Sequence, residues 1–345
     1  MKNISITLKR KALLVATLSV ITSQAFAGNG SSTGGGRTII INSIAKTLAR
    51  NSLQLKTLWF SYDADKWISR SGGPGEYEGK KIALLTPGFL THPDTMIHLA
   101  RYLSNLKIGE TKRYDDIWCY HYDSFKSLAT LASRLAEDLG PFLEKTKGVD
   151  IFAHSMSGLF CRDAISTTLG IYVKNVVLIG VPNGGIPIEV LAQYSEKQIG
   201  PLLSGFLQGA IKQCVPAIYD MDEKSEYLEA LNSDAIENHS EFKDSVHYYT
   251  ISGNTPDGFN GELGKQIDEI YHQIDSSLKT DGLISNKSVH FSNLVNESIS
   301  WGENSAHQAV LPLNHMQLLG GPDGSTAQIY LTRILDDWIQ SWSMK

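Results

Sequence analysis

The chain has 345 residues, and its 36 acidic side chains outnumber its 31 lysines and arginines. This acidic balance, without a basic run beyond the first residues, argues against nucleic acid or an anionic membrane surface as a partner. The length fits one large α/β domain with insertions, or two small domains.

The first 27 residues follow the three-part pattern of a cleaved secretory signal. Four basic side chains precede the apolar run 12–21, which is too short to span a bilayer comfortably. Ala25-Phe26-Ala27 then supplies small residues at the two positions that a signal peptidase reads. No later segment is apolar for long enough to be a transmembrane helix. We therefore expect an exported protein, periplasmic or extracellular, that makes at most transient contact with a lipid surface.

The segment after the cleavage point, residues 28–36 (GNGSSTGGG), has nothing to bury and predicts a flexible spacer. The remainder, 37–345, is expected to form one α/β domain. Within it, residues 37–78 are predicted to form leading strands or a short helix. The sequence does not determine the oligomeric state.

Strands and helices alternate from about residue 79. Short apolar runs predict strands at 81–86, 117–122, 149–153, 176–181 and 246–252. Apolar residues at helical spacing predict helices at 94–106, 125–146, 156–168 and 326–342. This alternation indicates βαβ units and a mostly parallel central sheet. Such strands are apolar throughout because helices cover both faces of the sheet.

Residues 185–244 interrupt this alternation and are predicted to form a mostly helical cap. An apolar stripe runs from residue 199 to 211 at i, i+3, i+4, i+7 spacing. The stripe either lines an acyl-chain pocket or packs permanently on the core. In the first case the pocket residues are predicted to be Leu202, Leu203, Phe206 and Leu207, since such pockets are mainly apolar.

A buried strand runs directly into Ser155, and a helix follows at once. A turn of this kind presents the serine Oγ above the sheet, and the helix N-terminus behind it favours negative charge. The backbone N–H of Met156 is then free to bind an oxyanion. Ala153 and Ser157 are small, as the turn requires, although glycine is usual at both positions. The alternative is a serine that only caps the next helix.

Several segments resemble bacterial lipases and esterases of the α/β-hydrolase fold, over roughly residues 79–342. They are LLTPGFL (84–90), DIFAHSMSGL (150–159), VVLIGVPNGG (176–185), TDGLISNKSV (280–289) and LNHMQLL (313–319). YDMDEKSEYLEALN (219–232) resembles a segment of their cap region, which ends in a Leu-Asn pair. The resemblance implies an α/β-hydrolase fold with a helical cap insertion, and hydrolysis of carboxylic esters.

The resemblance also implies roles for individual residues. Ser155 matches the nucleophile, Asp281 the acid and His315 the base, in the chain order Ser…Asp…His of that fold. The N–H groups of Phe89 and Met156 match the oxyanion donors. Pro87 stands where histidine usually precedes the glycine of the first segment.

Two rival residues and two rival functions stay open. Asp257 follows the strand 246–252, where some relatives place their acid, and His307 is the rival base in a polar segment. His154, His92 and His121 are expected to be surface or packing residues. An acyltransferase or thioesterase with the same triad, or a non-catalytic binding protein of this fold, are the alternative functions.

No cofactor and no metal are predicted. Some relatives hold calcium near the acid and base loops, where Asp275 and Asp281 lie, but the sequence shows no complete set of oxygen ligands. Cys119, Cys161 and Cys214 do not have the spacing of a zinc site. In an oxidising compartment they form at most one internal disulfide, and three buried thiols are the alternative.

Overall fold

The computed structural model describes residues 58–70, 77–188, 216–237, 246–256, 262–290 and 307–342. The strands are β1 (Leu58–Asp63), β2 (Lys66–Arg70), β3 (Ile82–Thr86), β4 (Lys107–Ile108), β5 (Thr111–Lys112), β6 (Asp116–His121), β7 (Val149–His154), β8 (Val173–Ile179), β9 (His247–Gly253) and β10 (His307–Leu311). The helices are α1 (Ile97–Asn105), α2 (Leu128–Leu143), α3 (Ser157–Ala164), α4 (Pro216–Asp220), α5 (Glu226–Glu237), α6 (Glu262–Ile274), α7 (Asn286–Val289) and α8 (Thr326–Trp342).

Eight strands form one sheet in the order β10-β9-β8-β7-β3-β6-β1-β2. The strands from β10 to β6 run parallel, which confirms the predicted sheet. β1 pairs antiparallel with both β6 and β2. The two-residue turn between β1 and β2 places Ala64 and Asp65 at positive φ, as a tight hairpin of matching twist requires.

Successive residues of each central strand enter two different cores. Ile82 and Leu84 of β3 pack with α2 and α3, whereas Ala83 and Leu85 pack with α1 and α8. This alternation follows from the pleat of a strand. The helical members of the two cores include Leu131, Leu135, Leu139 and Leu159 on one face, and Leu99, Leu103, Leu331 and Leu335 on the other. Helices therefore cover both faces, which explains the uninterrupted apolar strands.

Element boundaries differ from the predictions by a few residues. The helix predicted at 94–106 begins as a 3-10 turn, Pro93–Met96, before α1. The helix predicted at 156–168 is α-helical only in α3 and continues as a π-helical turn, Ile165–Leu169. β8 begins at Val173 rather than at 176, because its first residues still pair with the start of β7.

The predicted cap is described only in part. Residues 185–188, α4 and α5 belong to it, whereas Leu202, Leu203, Phe206 and Leu207 lie outside the described residues. Within the stretches described above, no helix is both long enough and apolar enough to span a bilayer.

Candidate active site

Ser155 occupies the turn that joins β7 to α3. Its φ angle is +57°, in the left-handed region that residues other than glycine rarely adopt. Its backbone N–H donates to the carbonyl of Ile179, the last residue of β8, at 2.9 Å. Its own carbonyl accepts from the N–H of Gly158 at 3.1 Å. Ser155 thus stands on a strained strand-to-helix turn at the carboxyl edge of the sheet.

The residues around this turn show how it closes without the usual glycines. The side chain of Ser157 is buried, and its Oγ lies 2.8 Å from the carbonyl oxygen of Thr86 and 2.9 Å from that of His154. This hydroxyl joins the end of β3 to the turn, which glycine could not do. The closest approach comes one residue later, since a Cβ on Gly158 would lie 2.3 Å from Cγ2 of Val181. The turn therefore accepts serine at 157 and needs glycine at 158.

Asp281 and His315 are in direct contact and are both buried. Oδ2 of Asp281 lies 2.8 Å from Nδ1 of His315. Oδ1 accepts hydrogen bonds from the backbone N–H groups of Leu283 (3.0 Å) and Ile284 (2.8 Å). The backbone N–H of His315 donates to the carbonyl of Asp281 at 2.9 Å. A carboxylate held in this way keeps the imidazole hydrogen on Nδ1, which leaves Nε2 as the basic nitrogen.

Glycines at the ends of β8 and β9 make room for this pair beside Ser155. A Cβ on Gly180, the residue after β8, would lie 3.0 Å from Nδ1 of His315. A Cβ on Gly253, the last residue of β9, would lie 2.8 Å from the Cβ of Asp281. Because parallel strands end at one edge, the segments that follow β8 and β9 lie at the same edge as Ser155, which follows β7.

His154 supports the loop that carries His315. Its Nε2 lies 3.1 Å from the carbonyl oxygen of His315, and the two ring centroids are 4.6 Å apart. Burial lowers the pKa of His154 well below its ordinary value, and the neighbouring His315 lowers it further. His154 is therefore neutral and donates from Nε2. The sequence analysis predicts a surface or packing role for His154 and missed its contact with His315.

The loop after β3 lies directly against Ser155. A Cβ on Gly88 would lie 3.0 Å from the Cβ of Ser155 and 3.0 Å from Nδ1 of His154, so glycine gives this loop its close approach. The hydroxyl of Tyr122 donates to the carbonyl of Pro87 at 2.8 Å, and burial raises the pKa of that hydroxyl well above its ordinary value. Among the described residues, the half-buried Phe89 makes no hydrogen bond through its N–H.

The N–H of Met156 also has no hydrogen-bond partner within the part of the chain that is described, and Met156 itself is buried. It precedes the first turn of α3, where backbone N–H groups have no partner inside the helix. The two predicted oxyanion donors therefore belong to the two loops that meet at Ser155.

The structure bears on only one of the two alternative residues, the acid Asp257 and the base His307. Asp257 lies outside the described residues. His307 opens β10 and stacks on Tyr249, with ring centroids 5.0 Å apart. It stands at the amino end of a parallel strand, so it is on the edge of the sheet opposite Ser155. The predicted polar segment is thus partly strand, and its histidine is remote from the site.

The described thiols are buried and unpaired. Burial raises the pKa of Cys119 well above its ordinary value and that of Cys161 to about 12, so neither is a reactive thiolate near neutral pH. Cys214 lies outside the described residues. Over the ranges that the structure covers, no three His, Cys, Asp or Glu side chains are grouped to hold a metal ion.

A buried arginine connects α3 to the described part of the predicted cap, and the sequence analysis missed it. Arg162 of α3 is fully buried and donates to Oδ1 of Asn183 at 3.2 Å and to Oδ1 of Asn232 at 3.1 Å. Asn232 in turn donates to the carbonyl of Asn183 at 3.0 Å. Asn232 belongs to the Leu-Asn pair noted in the cap segment. That pair was the signal in the sequence that could have indicated this contact. The network fixes α5 on the back of the helix that follows Ser155.

Gly253 offers a test of the packing around the acid. A Cβ there would lie 2.1 Å from the backbone carbonyl oxygen of Leu313, besides its contact with Asp281. We expect Gly253→Ala to lower the free energy of unfolding by about 3 kcal/mol, because the backbone must shift. Urea unfolding followed by circular dichroism measures this change.

The control is Gly140→Ala, because a Cβ at Gly140 in α2 meets no atom within 4 Å. That variant should be unchanged or more stable by up to about 1 kcal/mol, from helix propensity. Equal stability of the Gly253 and Gly140 variants would contradict the packing described here.

His290 predicts acid sensitivity. Its ring nitrogens lie 2.8 Å from Oγ1 of Thr250 and 2.9 Å from Oγ of Ser252, and burial lowers its pKa from 6.5 to about 4. The unfolded chain binds a proton below pH 6.5 that the folded chain accepts only below about pH 4. We therefore expect the free energy of unfolding to fall as the pH is lowered from 6.5 to about 4, by up to about 1.4 kcal/mol per pH unit.

The comparison is His290→Gln, which removes the titration and keeps polar atoms for both hydroxyls. Unfolding curves at several pH values should show a shallower acid dependence for this variant. Identical pH slopes for the two proteins would be the contrary result.

Searches against known proteins returned structural similarities only. No protein-family model matches the sequence, and no curated protein is significantly similar to it. Phospholipase PlaB from Legionella pneumophila is 15% identical over 61% of this chain and 45% of that one, with a TM-score of 0.43. The matched part thus spans less than half of that phospholipase.

Two further similarities cover more of the neighbour's chain. A thioesterase domain from the curacin biosynthetic pathway is 10% identical over 81% of this chain and 95% of that one, with a TM-score of 0.39. A lipase-esterase related protein from Clostridium acetobutylicum is 12% identical over 81% and 98%, with a TM-score of 0.38.

The chain has the α/β-hydrolase fold. The sheet order and the left-handed turn at Ser155 carry that assignment. The predicted fold is thereby confirmed, and the activity has to be argued from the site itself.

Proposed function

We propose that the protein is a serine hydrolase that cleaves carboxylic esters, with Ser155, His315 and Asp281 as its triad. The observation that carries this proposal is the 2.8 Å contact between the buried Asp281 carboxylate and Nδ1 of His315. This contact lies at the edge of the sheet where Ser155 sits on a strained turn. An acid, a base and a nucleophile at one such edge favour acyl transfer over a binding role.

The reaction proceeds in two halves. Nε2 of His315 accepts the proton of Ser155 as Oγ attacks the ester carbonyl, and Asp281 stabilises the imidazolium that forms. The N–H groups of Phe89 and Met156 bind the oxyanion of the tetrahedral intermediate, and one such donor lowers the barrier by about 3 kcal/mol. His315 then protonates the departing alkoxide, which leaves an acyl-enzyme on Ser155.

Water completes the cycle. His315 accepts a proton from water as the water oxygen attacks the acyl carbonyl, and then returns that proton to Oγ of Ser155. The products are a carboxylic acid and an alcohol. If an alcohol or amine accepted the acyl group in place of water, the same three residues would make an acyltransferase. The experiment therefore also varies the acceptor of the acyl group.

The predicted cap favours an ester with an apolar acyl group. Its apolar stripe is predicted from the sequence at 199–211, and a stripe that lines a pocket would suit an acyl chain. Described residues hold the neighbouring part of the cap in place, since the hydrogen bonds of Arg162 fix α5 on α3.

Labelling with a fluorophosphonate probe tests the nucleophile, and p-nitrophenyl esters from butyrate to palmitate test the substrate. We expect one label on Ser155, identified by peptide mass, and a burst of p-nitrophenol equal to the enzyme concentration. A protein that is folded yet neither labelled on Ser155 nor active on any of these esters would overturn the proposal. Faster turnover with an added alcohol and formation of its ester would identify the transferase variant.

A further inference from the structure

The edge of the sheet opposite Ser155 holds a cavity of about 320 Å³. It opens where the parallel strands begin, close to the C-terminal end of α8. Its lining includes Lys81, Arg113, Lys174, His247, Tyr249 and Trp342. We call it the basic cavity, because four of its eight lining residues are lysine, arginine or histidine.

No carboxylate lines the basic cavity among the residues that the structure describes. The nearest buried acid, Asp150, lies behind Arg113 and is fully buried. Its oxygens already accept from Nη2 of Arg113 (3.0 Å), the hydroxyl of Tyr114 (2.9 Å) and Nδ2 of Asn175 (2.6 Å). Asp150 therefore balances Arg113, Asp115 partly offsets the charge of Lys81, and Lys174 adds a further positive charge at the cavity.

Lys81 is held in an environment that disfavours its own charge. Burial lowers the pKa of its ammonium group and the charge of Arg113 lowers it further, while Asp150 and Asp115 act in the opposite direction. The carboxylate of Asp115 also accepts the backbone N–H of Lys81 at 2.7 Å. An anion in the basic cavity would stabilise both cations at once.

Aromatic rings complete the wall of the basic cavity. The guanidinium carbon of Arg113 lies 5.4 Å from the ring centre of Trp342 and 5.6 Å from that of Tyr114. The rings of Tyr249 and Trp342 are 5.2 Å apart. The contacts with Tyr114 and Trp342 orient Arg113 in advance. Tyr249 and Trp342, tilted by 51° to each other, also line the cavity and offer apolar ring surface to an organic group attached to the anion.

We propose that the basic cavity binds the phosphate group of a phosphate ester, at a site separate from Ser155. Three cations from separate segments of the chain line the cavity: Lys81 just before β3, Arg113 just after β5 and Lys174 in β8. Such a set suits a phosphate, which carries up to two negative charges and three free oxygens. The volume admits a phosphate with a small organic group against Trp342. The phosphate belongs either to a soluble monoester or to a lipid headgroup, and the test separates these sources.

The test uses the full chain at constant ionic strength. Isothermal titration with inorganic phosphate and with phenyl phosphate is expected to show binding by the unaltered protein. Lys81→Met and Lys174→Gln should each weaken that affinity by about tenfold, the effect of losing one charge-assisted contact. Lys174 is exposed, so its variant folds even if Lys81→Met does not.

Lys126→Gln is the matched control, because Lys126 is an exposed lysine outside the cavity. It should bind phenyl phosphate as the unaltered protein does, and ester hydrolysis should be unchanged in the Lys174 and Lys126 variants. Sedimentation with vesicles of phosphatidic acid, against phosphatidylcholine alone, forms the second arm. Binding in solution identifies a soluble ester, and Lys174-dependent binding to phosphatidic acid alone identifies a lipid headgroup.

Two results would overturn the proposal. One is the absence of binding to inorganic phosphate, phenyl phosphate and phosphatidic acid vesicles alike. The other is a Lys174→Gln variant that binds phosphate as tightly as the Lys126→Gln control. Neither result depends on the activity of Ser155, so the ester-hydrolase proposal stands or falls separately.

Discussion

Replacement of Ser155 by alanine is expected to lower kcat for a p-nitrophenyl ester by about a million-fold, the effect of removing a triad nucleophile. Alanine keeps the Cβ and makes no new contact, so the fold should be unaffected. Initial rates, with active-site titration of the unaltered enzyme, measure the loss. Ser133→Ala is the control: among the described residues its hydroxyl bonds only to the carbonyl of Ala129 within α2, so kcat should be unchanged. A Ser155 variant as active as the Ser133 variant would show that the nucleophile lies elsewhere.

A glycine at the same position separates strain from chemistry. Ser155 has a φ of +57°, which glycine adopts without the clash of a Cβ. We therefore expect Ser155→Gly to be inactive, and more stable than Ser155→Ala by up to about 1 kcal/mol. Thermal unfolding of the two variants measures the difference. An alanine variant that is the more stable of the two would argue against strain at this turn.

Asp281→Asn is expected to lower kcat by about 10⁴-fold. An asparagine oxygen can still accept the N–H groups of Leu283 and Ile284. Its amide group would then face Nδ1 of His315 as a donor, which moves the ring hydrogen to Nε2. A ring in that tautomer cannot accept the proton of Ser155.

The matched variant for this prediction is Asp257→Asn, which alters the rival acid. Rates measured across pH for both variants discriminate the two carboxylates. We expect the large loss only in the Asp281 variant. A large loss confined to Asp257→Asn would assign the acid role to Asp257 and leave Asp281 as a structural contact.

The fold was predictable because its signals are local. The apolar strands between helices, and the strand that runs straight into Ser155, depend on residues that are neighbours in the sequence. The parallel sheet follows from them, since strands joined by helical crossovers run in the same direction. The signal peptide, the spacer and the apolar pocket of the cap lie outside the described residues and stay predictions.

Local sequence signals could not decide between two residues of the same type. His307 and His315 are eight positions apart, yet β10 separates them across the sheet, so His307 stacks on Tyr249 while His315 contacts Asp281. A pattern of residue types carries no information about which end of a strand a histidine reaches.

The sequence by itself determined the α/β class, the turn at Ser155 and the order of serine, acid and histidine along the chain. Only the tertiary structure decided that Asp281 meets His315, that glycine is needed at 158 rather than 157, and that cations gather at the far edge. The physical reason is that periodicity and turn chemistry act between neighbours in the chain. Contacts such as that of Arg113 with Asp150 depend instead on the order of strands in the sheet.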